Sequence, residues 1–135
     1  MEAVALVSGG KDSTFNIMKC LELKPEVKIV ALANLYPPHD PEDDISSYMY
    51  QTVGHELIDL YGQAMGIPLY RAPISGSAVD KNLNYTPNDK DEVEDMYKLI
   101  KDITIKHPKI KYVLAGAIQS RYQTFRVRDV YVLYY

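Results

Sequence analysis

The sequence Ser8-Gly9-Gly10-Lys11-Asp12-Ser13 lies between a short apolar run, residues 3–7, and a segment with helix-like spacing of apolar residues, residues 14–23. This order predicts a strand, a tight turn and a helix. Glycines let backbone amides approach a ligand closely, and a helix N-terminus presents free N–H donors with a partial positive charge. Lys11 adds a full positive charge, and Ser8 and Ser13 add hydroxyl groups. The stretch therefore predicts a phosphate-binding loop, the 8–13 loop.

The 8–13 loop matches neither the Walker-A spacing nor G-x-G-x-x-G. Two glycines and a lysine alone would more often form a plain turn with a solvated lysine. The flanking serines, Asp12 and the strand–helix context favour phosphate binding. The motif resembles that of the pyrophosphate-loop, or N-type ATP pyrophosphatase, superfamily. The resemblance implies cleavage of ATP to AMP and pyrophosphate, with the loop holding the pyrophosphate end.

Length and composition indicate one globular domain. The chain has 135 residues, of which 47% are apolar and 24% charged, and a chain of this length buries a sizeable core. It carries 15 basic and 18 acidic residues, a net charge of −3. General nucleic-acid binders are usually basic, so the balance argues against that class.

The single cysteine, Cys20, excludes an internal disulfide. Its place among apolar residues favours a buried small hydrophobic side chain over a reactive thiol. No Cys/His cluster has zinc spacing, and no signal peptide or membrane span is visible. We expect a reducing, cytoplasmic setting and no membrane partner.

A second apolar strand is predicted at residues 27–35. Strand, helix and strand within about thirty residues form a βαβ unit, which predicts a parallel sheet. Ligands of such sheets bind beyond the carboxyl ends of the strands. Ala33 and Asn34 should therefore share this edge of the sheet, the carboxyl rim, with the 8–13 loop. We predict that they line the adenine and ribose pocket, largely through backbone groups.

Residues 37–44 contain three prolines and several acids, which predicts a solvated loop; Mg²⁺ binding there is the less favoured alternative. Residues 46–65 are predicted to form a long helix. Its apolar positions are Met49, Val53, Leu57, Leu60, Ala64 and Met65. Its polar positions, which taken alone favour a solvated face, are Tyr48, Gln51, His55 and Asp59.

The next segments predict an edge strand at residues 69–72, and then a long loop, residues 73–90, that is either a lid or disordered. Residues 91–106 predict a helix whose acids lie in the first turn and whose basic residues lie toward the end. This arrangement matches the helix dipole, so the acids need no catalytic explanation. The fourth strand is predicted at residues 110–115.

After the fourth strand, Gly116, Ala117 and Ile118 form a small-residue turn, and residues 119–128 begin a basic, amide-rich helix. Such a turn at a carboxyl end predicts a second anion-binding position on the same rim.

Three further stretches narrow the resemblance. Residues 47–55, 91–97 and 116–127, together with the 8–13 loop, resemble the diphthine–ammonia ligase (diphthamide synthase) family. This resemblance extends from Met1 to about Val130. It implies a Rossmann-like α/β fold of the adenine nucleotide alpha hydrolase, or HUP, type. The expected architecture has three α/β/α layers and a mostly parallel sheet of order 3-2-1-4 or 3-2-1-4-5, in one ATP-binding pyrophosphate-loop domain spanning residues 1–135.

The family resemblance implies ATP-dependent amidation of diphthine on elongation factor 2. ATP, with Mg²⁺, would activate the carboxylate as an acyl-adenylate, and ammonia would displace AMP. A loop that grips the outer phosphates leaves the α-phosphorus open to attack.

The resemblance also implies roles for individual residues. The phosphate-binding set is Ser8, Gly9, Gly10, Lys11, Asp12 and Ser13, and Gly116 and Ala117 would approach the nucleotide. The candidate catalytic residues are Lys11, which would offset leaving-group charge, Asp12, and Arg126, which would bind the carboxylate or a phosphate. The candidate substrate-binding residues are Tyr48, Gln51, His55, Ser120, Tyr122 and Gln123.

The family continues into a second half with a Gly-Gly-Glu-Tyr-Glu-like motif, which the sequence of residues 1–135 does not contain. We therefore expect this chain to fold and to bind ATP but to be weak or inactive as a ligase. Two alternatives stay open. One is a tRNA-modifying pyrophosphate-loop enzyme, poorly supported by one cysteine, and the other is an adenine-nucleotide-binding module without catalysis.

Overall fold

Strands and helices alternate along the chain. In the computed structural model, residues 1–36, 57–75, 92–116 and 127–128 are described. The elements are β1 Glu2–Leu6, α1 Lys11–Leu23, β2 Lys28–Tyr36, α2 Asp59–Met65, β3 Leu69–Pro73, α3 Glu92–Lys106 and β4 Ile110–Leu114.

The four strands form one sheet in which every pairing is parallel, with the order β3-β2-β1-β4. Leu6 of β1 pairs with Ala33 of β2, and Ala5 pairs with Leu114 of β4. The predicted order is confirmed, as is the edge position of β3. A fifth strand has no counterpart in the ranges that the structure describes. The carboxyl ends of all four strands lie along one rim, where the β1–α1 junction begins.

Helices cover both faces of the sheet, which gives the predicted Rossmann-like α/β arrangement. The α3-side core packs Val93, Met96 and Ile103 against β1 and β2. The α1/α2-side core joins Ile17 of α1 and Ile58, just before α2, to the opposite face of the same strands. Strand β2 is buried on both faces, as its near-continuous apolar sequence predicts.

Helix α1 differs from its prediction in its start and its buried face. It begins at Lys11 rather than at residue 14, so half of the 8–13 loop forms its first turn. Only Ser13 and Ile17 are buried, and Cys20 is half-buried against the α1/α2-side core. The other apolar positions are exposed: Phe15, Met18, Leu21 and Leu23. The helix meets the sheet along one narrow line, and a narrow contact leaves these side chains outside it.

Helix α2 begins at Asp59, and residues 57 and 58 form a turn instead of the predicted continuous helix. The predicted apolar face is also wrong at this end, because Leu57 and Leu60 are exposed while Ile58 is fully buried. The chain reverses at Gly66, whose left-handed φ of 63° ends the helix.

The predicted loop at residues 37–44 and the predicted helix before residue 57 lie outside the described residues, as does the predicted loop beyond Ser75. In the described ranges, no helix combines the length and the hydropathy needed to span a bilayer.

Candidate functional site

The backbone of the 8–13 loop turns sharply between β1 and α1. Gly9 has a φ of 81°, in the left-handed region that side-chain-bearing residues rarely adopt. Gly10 then returns to an extended conformation and precedes α1 without any side-chain cap. This geometry explains the glycine pair, and in the described part of the chain no side chain caps the start of the helix.

The two serines hold the loop in this shape. Ser13 Oγ donates to the carbonyl of Gly10 at 3.0 Å, and Ser8 Oγ accepts from the N–H of Gly10 at 3.3 Å. The N–H of Ser8 reaches Ser13 Oγ at 3.3 Å, and the two hydroxyl oxygens are 3.4 Å apart. Both hydroxyls, predicted from the sequence as phosphate ligands, thus also bond within the loop.

The first turn of α1 presents open donors. Among the described residues, the backbone N–H groups of Lys11 and Asp12 donate to no acceptor. The Lys11 ammonium pairs with Asp12 at 2.9 Å, and the two side chains are 89% and 57% exposed. An ion pair this exposed contributes little stability, so Lys11 can turn toward an anion at small cost. Free amides, a helix dipole and a mobile cation together fit a phosphate group.

Gly116, just after β4, lies against this first turn. A Cβ atom on Gly116 would lie 2.8 Å from Ser13 N and 2.9 Å from the carbonyl carbon of Asp12. Only glycine allows the two backbones to come this close. The structure therefore brings Gly116, the first residue of the predicted second position on the rim, into contact with the 8–13 loop.

The end of β2 lies on the other side of the loop. The N–H of Val7 donates to the carbonyl of Ala33 at 2.9 Å. The buried Asn34 side chain donates from Nδ2 to the carbonyl of Val7 at 2.8 Å and accepts at Oδ1 from Arg71 Nε at 3.0 Å. Ala33 and Asn34 thus share the rim with the loop, and the Asn34 amide is engaged in bracing it.

Helix α2 also contacts the loop, which the sequence analysis did not anticipate. The Tyr61 hydroxyl donates to the carbonyl of Gly9 at 3.4 Å and lies 3.3 Å from the Thr14 hydroxyl. Ile58 packs beneath Gly9 so closely that a Cβ there would lie 2.7 Å from its Cδ1 atom. Strand pairing and helix packing create these contacts, and no local sequence motif marks them. The one available signal in the sequence for contacts that support the loop was Arg71, a charged residue inside the predicted short edge strand.

The remaining predicted site residues lie outside the described residues: Tyr48, Gln51, His55, Ala117, Ser120, Tyr122, Gln123 and Arg126. In the described ranges, no three His, Cys, Asp or Glu side chains cluster as metal ligands. A cavity of about 350 Å³ between Cys20, Lys24 and Tyr112 has a mainly apolar lining that includes no predicted site residue.

Sequence comparisons identify the relatives of this chain. The model of the diphthamide synthase N-terminal domain matches residues 1–132. The diphthine–ammonia ligase of Schizosaccharomyces pombe is 50% identical over 130 residues, which cover 96% of this chain and 21% of the relative. The diphthine–ammonia ligases of Danio rerio and Homo sapiens are 50% and 48% identical, with 96% of this chain matched in each case.

This chain spans 50% of the Danio rerio relative and 48% of the human one. The family expected from the four sequence stretches is confirmed. Since the family model covers nearly all of its residues, the chain belongs to the diphthamide synthase N-terminal domain family.

Proposed function

We propose that this chain is the ATP-binding part of a diphthine–ammonia ligase, the activity for which its relatives are named. The observation that carries the proposal is the uncapped first turn of α1, where open N–H groups and the exposed Lys11 lie at the carboxyl rim. This is the chemistry that binds the terminal phosphates of a nucleotide.

The proposed reaction is an amidation in two steps. A carboxylate oxygen of diphthine on elongation factor 2 attacks the α-phosphorus of ATP, and pyrophosphate leaves. Ammonia then attacks the activated carbonyl, and AMP leaves as the amide forms. The 8–13 loop would hold the β- and γ-phosphates with their Mg²⁺, and Lys11 would offset the charge that develops on pyrophosphate. Asp12 and Arg126 complete the proposed catalytic set.

The proposed nucleotide pocket combines the 8–13 loop with the backbone of Ala33 and Asn34 and with Gly116 and Ala117. The protein substrate would contact the six residues for which the family resemblance implies substrate binding: Tyr48, Gln51, His55, Ser120, Tyr122 and Gln123. We propose a cytoplasmic protein that binds ATP and binds neither nucleic acid nor membranes.

The first test is the nucleotide product. The chain is incubated with ATP, Mg²⁺, ammonium and diphthine-bearing elongation factor 2, and the adenine nucleotides are separated. AMP with pyrophosphate supports the proposal, and ADP contradicts it. Binding of ATP without turnover would limit the proposal for this chain to the ATP-binding step, the property that it shares with the alternative of a nucleotide-binding module.

The second test is Lys11→Ala. Loss of one charge-assisted contact to phosphate is expected to weaken ATP binding by about tenfold to a hundredfold. The matched control is Lys19→Ala, because Lys19 is also an α1 lysine paired with a nearby carboxylate, that of Glu22. Titration calorimetry measures both dissociation constants. Equal affinity in the wild type and Lys11→Ala would contradict phosphate binding by the 8–13 loop.

A further inference from the structure

We infer that Arg71 is a positioning residue that keeps the 8–13 loop in its binding conformation without touching the nucleotide itself. The inference rests on the proposed function for its consequence in ATP binding. Its structural basis is a closed path of contacts, which runs from the loop through β2 to Arg71 on β3 and from there through α2 back to the loop.

The first part of the path runs from Arg71 to the loop through Asn34. Arg71 and Asn34 are paired in register on neighbouring strands. Arg71 Nε donates to Asn34 Oδ1 at 3.0 Å, and this contact fixes which end of the amide faces the loop. Asn34 Nδ2 therefore points at the carbonyl of Val7, 2.8 Å away. That carbonyl is part of the peptide group that joins Val7 to Ser8, and the N–H of the same group donates to Ser13 Oγ.

The second part runs from Arg71 to α2. Arg71 Nη1 bonds to Asp59 Oδ1 at 3.1 Å, and Asp59 is the first residue of α2. The guanidinium also lies over the ring of Tyr36, 4.9 Å from its centroid. These neighbours leave the Arg71 side chain only 20% exposed, whereas Asp59 is 65% exposed. Three contacts among the described residues thus hold the arginine, and they limit the motion of the Asn34 amide and of the start of α2.

The path closes where α2 meets the loop. Ile58 packs beneath Gly9, and the Tyr61 hydroxyl bonds to the Gly9 carbonyl. Asp59 lies between these two residues in sequence. The same arginine therefore orients Asn34 on one side of the loop and anchors α2 on the other.

The planar guanidinium suits this role. Its Nε and Nη donors point in fixed directions and can satisfy two acceptors on different elements at once. A lysine has a single flexible ammonium at the end of its chain and cannot reproduce both contacts in that geometry. Arg71→Lys should therefore fail to rescue the arrangement although it preserves the charge.

The test compares Arg71→Met and Arg71→Lys with Lys19→Met. Lys19 is a matched control, because it also pairs with a carboxylate and lies near an aromatic ring, that of Phe15 at 5.8 Å. Amide hydrogen exchange, followed by NMR on the ligand-free full chain, reports protection at Val7, Ser8 and Gly10. The dissociation constant of ATP is measured on the same samples.

We expect both Arg71 variants to raise exchange at these three amides by about tenfold, with β4 and α3 unchanged, and to weaken ATP binding by about the same factor. Lys19→Met should change neither. Adding Arg71→Met to Asn34→Leu should raise exchange at Val7 and Ser8 no further than Asn34→Leu alone, because Arg71 acts on these two amides through Asn34. A uniform rise in exchange over all elements would instead indicate plain destabilisation and would overturn the inference.

The two proposals fail in distinguishable ways. If the wild type does not bind ATP but the loop amides still loosen selectively in both Arg71 variants, the positioning role stands and the proposed function fails. If ATP binds in a Lys11-dependent manner and the Arg71 variants leave both exchange and affinity unchanged, the positioning role alone is refuted.

Discussion

The first turns of α1 and α3 use charged residues in opposite ways. At α1, Lys11 and Asp12 are exposed and the backbone donors are open. At α3, Glu94 and Asp95 are buried. Asp95 accepts from the N–H of Ser75 at 2.8 Å and from its hydroxyl at 2.6 Å. One helix start thus offers its polar groups outward, and the other uses them to hold the chain that leaves β3.

The comparison separates charge density from function. The first turn of α3 contains more acids in its sequence, yet some of them are buried, and Asp95 is hydrogen-bonded to the neighbouring segment. The first turn of α1 contains few charges, but the glycines before it and the lack of a side-chain cap leave its N–H donors available to a ligand. Variants in the first turn of α1 should therefore change ATP affinity, and variants in the first turn of α3 should change stability alone.

Gly116→Ala should have the largest effect. The added methyl group would lie within 2.9 Å of three backbone atoms of Asp12 and Ser13, and backbone cannot move aside cheaply. We expect a loss of about 3 kcal/mol in the free energy of unfolding, because overpacking forces the backbone to shift. ATP binding should also weaken, because the first turn of α1 is displaced. Urea denaturation and titration calorimetry check the two effects, and a fully stable variant with unchanged ATP affinity would contradict the described contact.

Asp95→Ala should come second and should leave the loop unaffected. It removes the acceptor of two Ser75 donors at a buried position, which we expect to cost about 2 kcal/mol of stability. ATP affinity should stay within about twofold of the wild type. Asp102→Ala is the matched control, because Asp102 is an exposed acid of the same helix, and it should change stability by about 0.5 kcal/mol or less. A large change in ATP affinity for Asp95→Ala would remove the contrast between the two helix starts.

Local sequence predicted the four strands and the position of the 8–13 loop, because each depends on patterns within one segment, whereas the strand order was implied by the family resemblance. Apolar runs predicted β1 and β2, and the glycine pair predicted the turn between β1 and α1. The buried faces of α1 and α2 were predicted less well. Phe15 and Leu60 fit a helical apolar spacing but are exposed, since the sheet contacts a single narrow line on each helix.

The supporting contacts of the site could not be predicted, because they depend on the registers of separate elements. Asn34 was selected for its place near the rim, but its bond to Arg71 arises from strand pairing between β2 and β3. The acid at position 95 fitted the helix dipole equally well whether exposed or buried. Its bond to Ser75 requires the end of β3 to pass the first turn of α3.

Gly9→Ala should have the smallest effect on stability of the three variants. Compared with a second left-handed glycine, it separates the effect of a distorted 8–13 loop on ATP binding from the effect of backbone strain on stability. The left-handed φ of 81° alone is expected to cost about 1 kcal/mol. Gly66→Ala is the matched control, because Gly66 is also left-handed but has open space where a Cβ would lie. The left-handed φ should cost both variants a similar part of their free energy of unfolding, but only Gly9→Ala should weaken ATP binding. Its Cβ would press on Ile58 Cδ1 at 2.7 Å, so adding Ile58→Val should recover part of the lost affinity. Equal ATP affinities for the two glycine variants would show that the 8–13 loop tolerates distortion, contrary to a role in phosphate binding.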